Sequence, residues 1–369
     1  MKFFTRTRCL LFMVAASIFA AESAPAATIP AAVPAPTVTA SLAPVIHFLT
    51  AARGKAAIVD DTQEPGAYFG QLQEMEMSAK TGRTITGGTL AEQRRECRAR
   101  YQAGVLEFSP QEQVAIQHYI GSIYPTIVRN YPGFAAMPWS FIKVADNIEG
   151  GLPHTRGMHI VLSLNMCQQM LMLQKIPQAA AAMAELLVHE QMHVFQRANS
   201  ARFDTLYTGL WGFVKAKSVT GCPWLDKHHL ANPDGTDCCW VFPTKQGNGN
   251  VSYIWPLVVF AEGDSLKHMP QDFQMLAVTV EKNGDTFFVK PGGGGRPAAH
   301  DLTADTAYCA MFGGSDNIYH PHEASADLFA KLLMLDQFME KNSLPENSRQ
   351  RIEKTFAPLR KWFRENLAR

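Results

Sequence analysis

The chain has 369 residues, 47% hydrophobic and 18% charged, with a formal net charge of +1. That balance suits a globular protein with a large core. It offers no electrostatic case for nucleic acid or an anionic membrane surface.

The first residues, "MKFFTRTRCLLFMVAASIFAAESAPAA", have a basic start, an apolar run and an Ala24-Pro25-Ala26 cleavage signal. The pattern predicts a secretory signal peptide over 1–26; its apolar run is short of the roughly 20 residues a bilayer needs. The product is expected to be secreted or periplasmic, with no membrane-spanning segment left. An Ala/Pro-rich stretch over 27–45 reads as an extended tether, and one folded domain is expected over 46–369. The basic run "RRECRAR" (Arg94 to Arg100) reads as a solvated helix face.

Ser109, Pro110 and Glu112 form a helix start with a capping box. "PWSFIKVAD" and "RGMHIVLSL" read as strands joined by a Gly-rich turn, a hairpin or an adjacent pair. "NMCQQMLMLQ" reads as a helix, and Pro177 opens a long Ala-rich one. From about 200 to 314 helical periodicity fades. There "SYIWPLVVFAEG" reads as a buried strand, "MLAVTVEKNGDTFFVK" as a hairpin turning at Asn283-Gly284, and "PGGGG" as a loop. Helices return at Pro321 and over "SRQRIEKTFAPLRKWFRENLAR", which contains Pro358.

Export bears on the cysteines. Cys97, Cys167, Cys222, Cys238, Cys239 and Cys309 remain after the signal. In an oxidising compartment some are expected to pair, stapling the Cys222–Cys309 segment.

The chemistry lies in "ELLVHEQMHVFQR", Glu185 to Arg197. The apolar stripe Ala179, Met183, Leu186, Leu187 continues at helical steps onto His189, Glu190 and His193. Polar groups at positions patterned for burial mark a functional site. Histidines four apart reach one metal ion, and the glutamate between them can serve as general base for a water activated there. A third ligand must come from elsewhere. Glu323 is the best candidate and Glu262 its rival. Glu323 and Asp327 lie one turn apart on a helix otherwise rich in leucine, where two carboxylates need a cation or donors. Asp327 can receive a histidine N–H. His320 and His322 flank Glu323 and can ligate or stabilise a transition state, and Tyr319 can serve as an oxyanion donor.

H-E-x-x-H followed by E-x-x-A-D, matched by Glu323, Ala326 and Asp327, resembles the gluzincin metallopeptidases, the group of thermolysin and the membrane-associated CaaX-processing and heat-shock proteases. The resemblance covers two short helical pieces. It implies an α+β zincin-like core: a mixed sheet, the H-E-x-x-H helix and a helical C-terminal part. The long step from His193 to Glu323 is accounted for by a disulfide-bearing insertion over about 200–314. It further implies that His189, His193 and Glu323 bind zinc, that Glu190 activates water, and that Asp327 orients a ligating histidine. The strand "GMHIVLS" would be the edge on which substrate backbone is held. The expected activity is hydrolysis of peptide or protein substrates. The alternatives are a non-catalytic metal-stabilised binding protein and a zinc amidase acting on cell-wall peptide.

Overall fold

The computed structural model describes residues 43–62, 67–235, 239–245, 251–263, 265–313, 315–341 and 346–368. The expected signal peptide and the tether up to residue 42 lie outside them, as does Cys238. The fold is mixed α+β. Its longer helices are α1 (Glu74–Thr81), α2 (Leu90–Ala103), α3 (Pro110–Asn130), α4 (Leu164–Leu173), α5 (Pro177–Ala198), α6 (Pro321–Lys341) and α7 (Glu346–Asn366). Among the described residues, no helix is long and apolar enough to cross a membrane.

Local chemistry explains where the helices begin. Ser109 Oγ accepts the Glu112 N–H at 3.2 Å and Glu112 accepts the Ser109 N–H at 2.7 Å, so the expected capping box opens α3. Thr89 and Glu92 do the same for α2. Pro177 and Pro321 begin α5 and α6, where a missing N–H breaks no helical bond. The Arg94–Arg100 run lies on α2 but is not merely solvated. Arg98 pairs with Asp61 at 2.7 Å and lies 4.5 Å over the Phe69 ring, and Arg94 Nε donates to the Leu72 carbonyl at 3.0 Å. The long guanidinium arms fasten α2 to the segments before it, while Cys97 and Tyr101 fill the core on its other side.

The first sheet contains β1 (Ile46–Phe48), β2 (Val105–Leu106), β3 (Trp139–Val144), β4 (His154–Arg156) and β5 (His159–Ser163), ordered β1-β3-β5-β4 with β2 also on β3. β3 is buried at every position, as a strand covered on both faces must be. Trp139, Phe141, Ile160 and Leu162 face the cluster built by α3, α4 and α5. The alternate residues Ile142, Val144 and Val161 face Tyr68, Phe69, Cys97 and Tyr101.

The two strands read as a hairpin or adjacent pair are adjacent but parallel, with Phe141 opposite Ile160 and Val144 opposite Ser163. The segment between them makes a 3-10 turn at Ile148–Gly151 and then β4, which pairs antiparallel with β5. Gly157 makes that reversal at φ +54°. β5 is therefore interior, and the edge position expected of it belongs to β4.

The second sheet holds β6 (Val214–Lys215), β7 (Ser218–Thr220), β8 (Trp240–Lys245), β9 (Val251–Phe260), β10 (Phe273–Asn283), β11 (Thr286–Val289) and β12 (Ala299–Asp301). Their order is β6-β8-β9-β10-β11-β7, with β12 also on β10. The run read as a buried strand is β9, and the expected hairpin is β10–β11. Its two loop residues are Gly284 and Asp285, with Gly284 at φ +61°, one place later than an Asn283-Gly284 turn. One set of side chains (Leu257, Val259, Val278, Phe287) makes a separate cluster. Trp240, Ile254 and Ala277 join the cluster of α5 and α6.

At Cys97, Cys167, Cys222 and Cys309 the expected pairing does not occur: these four are free thiols. Cys97 and Cys167 are buried in different clusters and pack as small apolar side chains. Burial pushes the Cys167 thiol up to about 12.

Candidate metal centre

α5 and α6 pack against each other, and Leu187, Val188, Met192, Ala324, Ala326 and Leu328 belong to the same buried apolar cluster. This apolar contact brings two polar interruptions of the stripes face to face. His193 Nε2 lies 3.0 Å from His189 Nε2, and Glu323 Oε2 lies 3.5 Å from each. A tetrahedral ion with bonds of about 2.0–2.1 Å separates its ligand atoms by about 3.4 Å. The three atoms have that spacing, and among the described residues this is the group able to hold a metal ion. His193 is fully buried, Glu323 nearly so, and His189 keeps 16% of its side chain exposed.

Electrostatics describe an anionic cage around His193. Burial alone would lower its pKa, but Glu323 and Asp234 outweigh that and raise it to about 10. Burial would raise Glu323; His193 and His189 hold it well below the usual carboxylate range. The two form an ion pair in the position where a cation would replace the proton.

Glu190 is buried beside them, and its Oε2 has no hydrogen-bond partner. Burial, then Asp234 and Glu323, push its carboxyl well up. A buried carboxylate oxygen left unpaired costs stability and marks a place where something else is meant to sit. The donor set, its spacing and this orphaned oxygen together fit a divalent cation with an adjacent water.

The rest of the expected site divides. Tyr319 is in place: its hydroxyl bonds Glu323, and burial with the neighbouring Glu323 and Asp234 raises its pKa. His320 is buried at the start of α6, where its Nδ1 accepts the His322 N–H at 3.2 Å and its ring meets that of His322 edge-on. His322 is kept neutral by burial, with His320 and His193 adding to the effect. Glu262 is not a ligand. It lies half-exposed, accepts Trp224 Nε1 at 3.0 Å and pairs with Arg296. Asp327 does not orient a histidine; its Oδ2 takes Lys331 Nζ at 2.9 Å, one turn along α6.

That orienting role falls to Gln196, which the sequence reading passed over. Gln196 Oε1 lies 2.8 Å from His193 Nδ1, and its Nε2 donates to the His322 carbonyl at 2.9 Å and to Ser325 Oγ at 2.7 Å. The signal was present: Gln196 lies three residues past His193 on the same buried stripe. Asn232 was also missed. Its Nδ2 donates to Glu323 Oε1 at 2.6 Å, and nothing in "LANPDGT" announces it. Arg197 ties α5 to the same loop through the Pro233 carbonyl at 2.9 Å, and to β4 through Thr155 Oγ1 at 3.1 Å.

No protein-family profile, curated protein or solved structure matches this chain.

Proposed function

We propose that the protein is an exported, zinc-dependent peptidase with a gluzincin-like centre on a zincin-like α+β core, the second sheet being an insertion between its two ligand-bearing helices. The observation that carries this reading is the pair formed by the three-ligand triangle and the unpaired Glu190 oxygen beside it. His189, His193 and Glu323 would hold the ion. Two imidazoles and one carboxylate are a donor set that zinc accepts in catalytic sites. When bound, zinc supplies Lewis acidity, polarising a carbonyl and easing loss of a proton from water. Glu190, whose Oε2 is unpaired beside the three ligands, takes that proton and passes it to the leaving amine. Gln196 keeps the proton of His193 on Nδ1, so Nε2 faces the site with its lone pair. Tyr319, beside Glu323, supplies a hydroxyl at the centre.

A second reading is a metal-stabilised binding protein without turnover. The deep burial of His193 and Glu323, on two packed helices, favours an ion that also clamps the fold. Digestion of a randomised peptide library by zinc-loaded protein, with Glu190→Gln as control, separates the two. The peptidase reading requires cleavage that zinc restores to chelated protein and that the variant lacks. Stoichiometric zinc with no cleavage of any peptide leaves the binding protein.

A further inference from the structure

Along an antiparallel edge strand, alternate residues turn their backbone groups toward the partner or away from it. In β4, Thr155 turns away from β5. Its N–H donates to Asp234 Oδ1 at 2.5 Å, and its Oγ1 reaches the same oxygen at 2.9 Å. The edge is therefore not open: all three residues of β4 are buried. What meets Thr155 is the strap Ala231–Gly235, which runs from this edge to the metal centre. Asn232 Nδ2 holds Glu323 Oε1, and Asn232 Oδ1 accepts the Asp234 N–H at 2.9 Å.

The strap is held along its length. The Ala231 N–H donates to Glu76 Oε1 at 2.6 Å, and the Ala231 carbonyl accepts Lys80 Nζ at 3.1 Å, both side chains being buried on α1. Arg197 holds the Pro233 carbonyl. Gly235 lies so near α6 that a Cβ there would stand 2.4 Å from His322 Nδ1. Lifting the strap would take a hydrogen bond from each of Glu76, Lys80 and Arg197, which costs more than parting an exposed loop. It is a wall of the site and not a mobile lid.

We propose that the strap Asn232–Asp234 occupies, on β4, the place that one half of an extended substrate would need, so that the centre cleaves near the ends of peptide chains. This rests on the peptidase reading. An extended stretch of polypeptide crossing the metal would draw affinity from main-chain bonds to an exposed sheet edge on each side of the scissile bond. Here the outward N–H of the edge is taken by a side chain of the protein itself. One side is closed, and a chain terminus fits where a continuing chain does not.

The test is a pool of long randomised linear peptides, digested by the zinc-loaded full chain and read bond by bond by mass spectrometry. The expected result is cleavage at the bonds nearest one terminus at least about tenfold above the central bonds, corresponding to about 1.4 kcal/mol. Asp234→Ala frees the Thr155 N–H and should raise central cleavage about tenfold, flattening the profile. If that variant does not fold, the wild-type profile decides alone. Uniform cleavage along the wild-type substrates overturns the strap and leaves the peptidase standing. No cleavage of any peptide overturns the peptidase reading and this inference with it.

Discussion

Gln196 Oε1 lies 2.8 Å from His193 Nδ1, while the same side-chain amide binds the His322 carbonyl and Ser325 Oγ on the facing helix. One buried amide thus sets the tautomer of His193 on α5 and the position of α6 beside Glu323. Every polar atom of Gln196 is used, which is what a buried group needs if it is to specify an arrangement.

Gln196→Ala is expected to lower zinc affinity about 10–100-fold, the usual effect of losing an orienting partner. Asp327→Asn is expected to leave zinc affinity within about threefold of wild type, because its carboxylate serves Lys331. Competition titration with a chromophoric chelator measures both. A larger loss in Asp327→Asn than in Gln196→Ala would return the orienting role to Asp327.

Glu190→Gln is expected to retain stoichiometric zinc and lose about 10²–10⁴-fold in turnover, the range for removing a general acid–base. Glu323→Ala is expected to lose both. Metal content by plasma mass spectrometry, measured alongside peptide cleavage, distinguishes them. Full turnover in the Glu190→Gln protein would remove the mechanism.

Metal binding should release a proton. His193, held at a pKa of about 10 by Glu323 and Asp234, is protonated at neutral pH without metal and must give up its Nε2 proton to bind it. Apparent zinc affinity is therefore expected to rise about tenfold per pH unit from neutrality toward pH 10, then level off. Without metal the sign is opposite. The raised histidine favours the fold most below its ordinary value near 6.5, and that contribution is lost as pH rises through about 10. Calorimetry in buffers of different ionisation enthalpy counts the proton.

Glu76 links stability to pH away from the metal. Burial lifts its carboxyl from 4.5 to about 7, against the pull of Lys80 and the Ala231 N–H. The folded state holds this proton more tightly than the unfolded chain. The group costs nothing below pH 4.5, and stability falls as pH rises from there through about 7. Glu76→Gln keeps an acceptor for Ala231 and removes the titration. Its stability relative to wild type should therefore grow across that window, read as the urea midpoint at successive pH values. A difference that is flat with pH would show that Glu76 does not titrate there.

Chelation should lower the melting temperature. At free zinc about 1,000 times the dissociation constant, binding contributes about 4 kcal/mol to the folded state. Added zinc is expected to restore the melting temperature of chelator-treated protein and to leave that of the Glu323→Ala variant unmoved, by scanning calorimetry with and without added zinc.

What the sequence by itself determined is what lies within a turn or two of backbone. The capping box at Ser109, the prolines that open α5 and α6, and the placing of His189, Glu190 and His193 on one buried stripe follow from helical geometry. That geometry holds wherever the helix ends up. Glu323 was legible for a related reason: a carboxylate on an apolar helix needs a partner, whatever that partner is. The tertiary structure decided everything that depends on a meeting of distant segments. β3 and β5 pair in parallel because the segment between them spends itself on a 3-10 turn and an edge strand. Gln196, not Asp327, orients His193 because the packing of α5 on α6 turns one toward the centre and leaves the other beside Lys331. Asn232 reaches Glu323 from a loop with no pattern of its own, carried there by anchors on α1, β4 and α5. Periodicity reports which face a side chain occupies; only the docking of the faces reports what it meets.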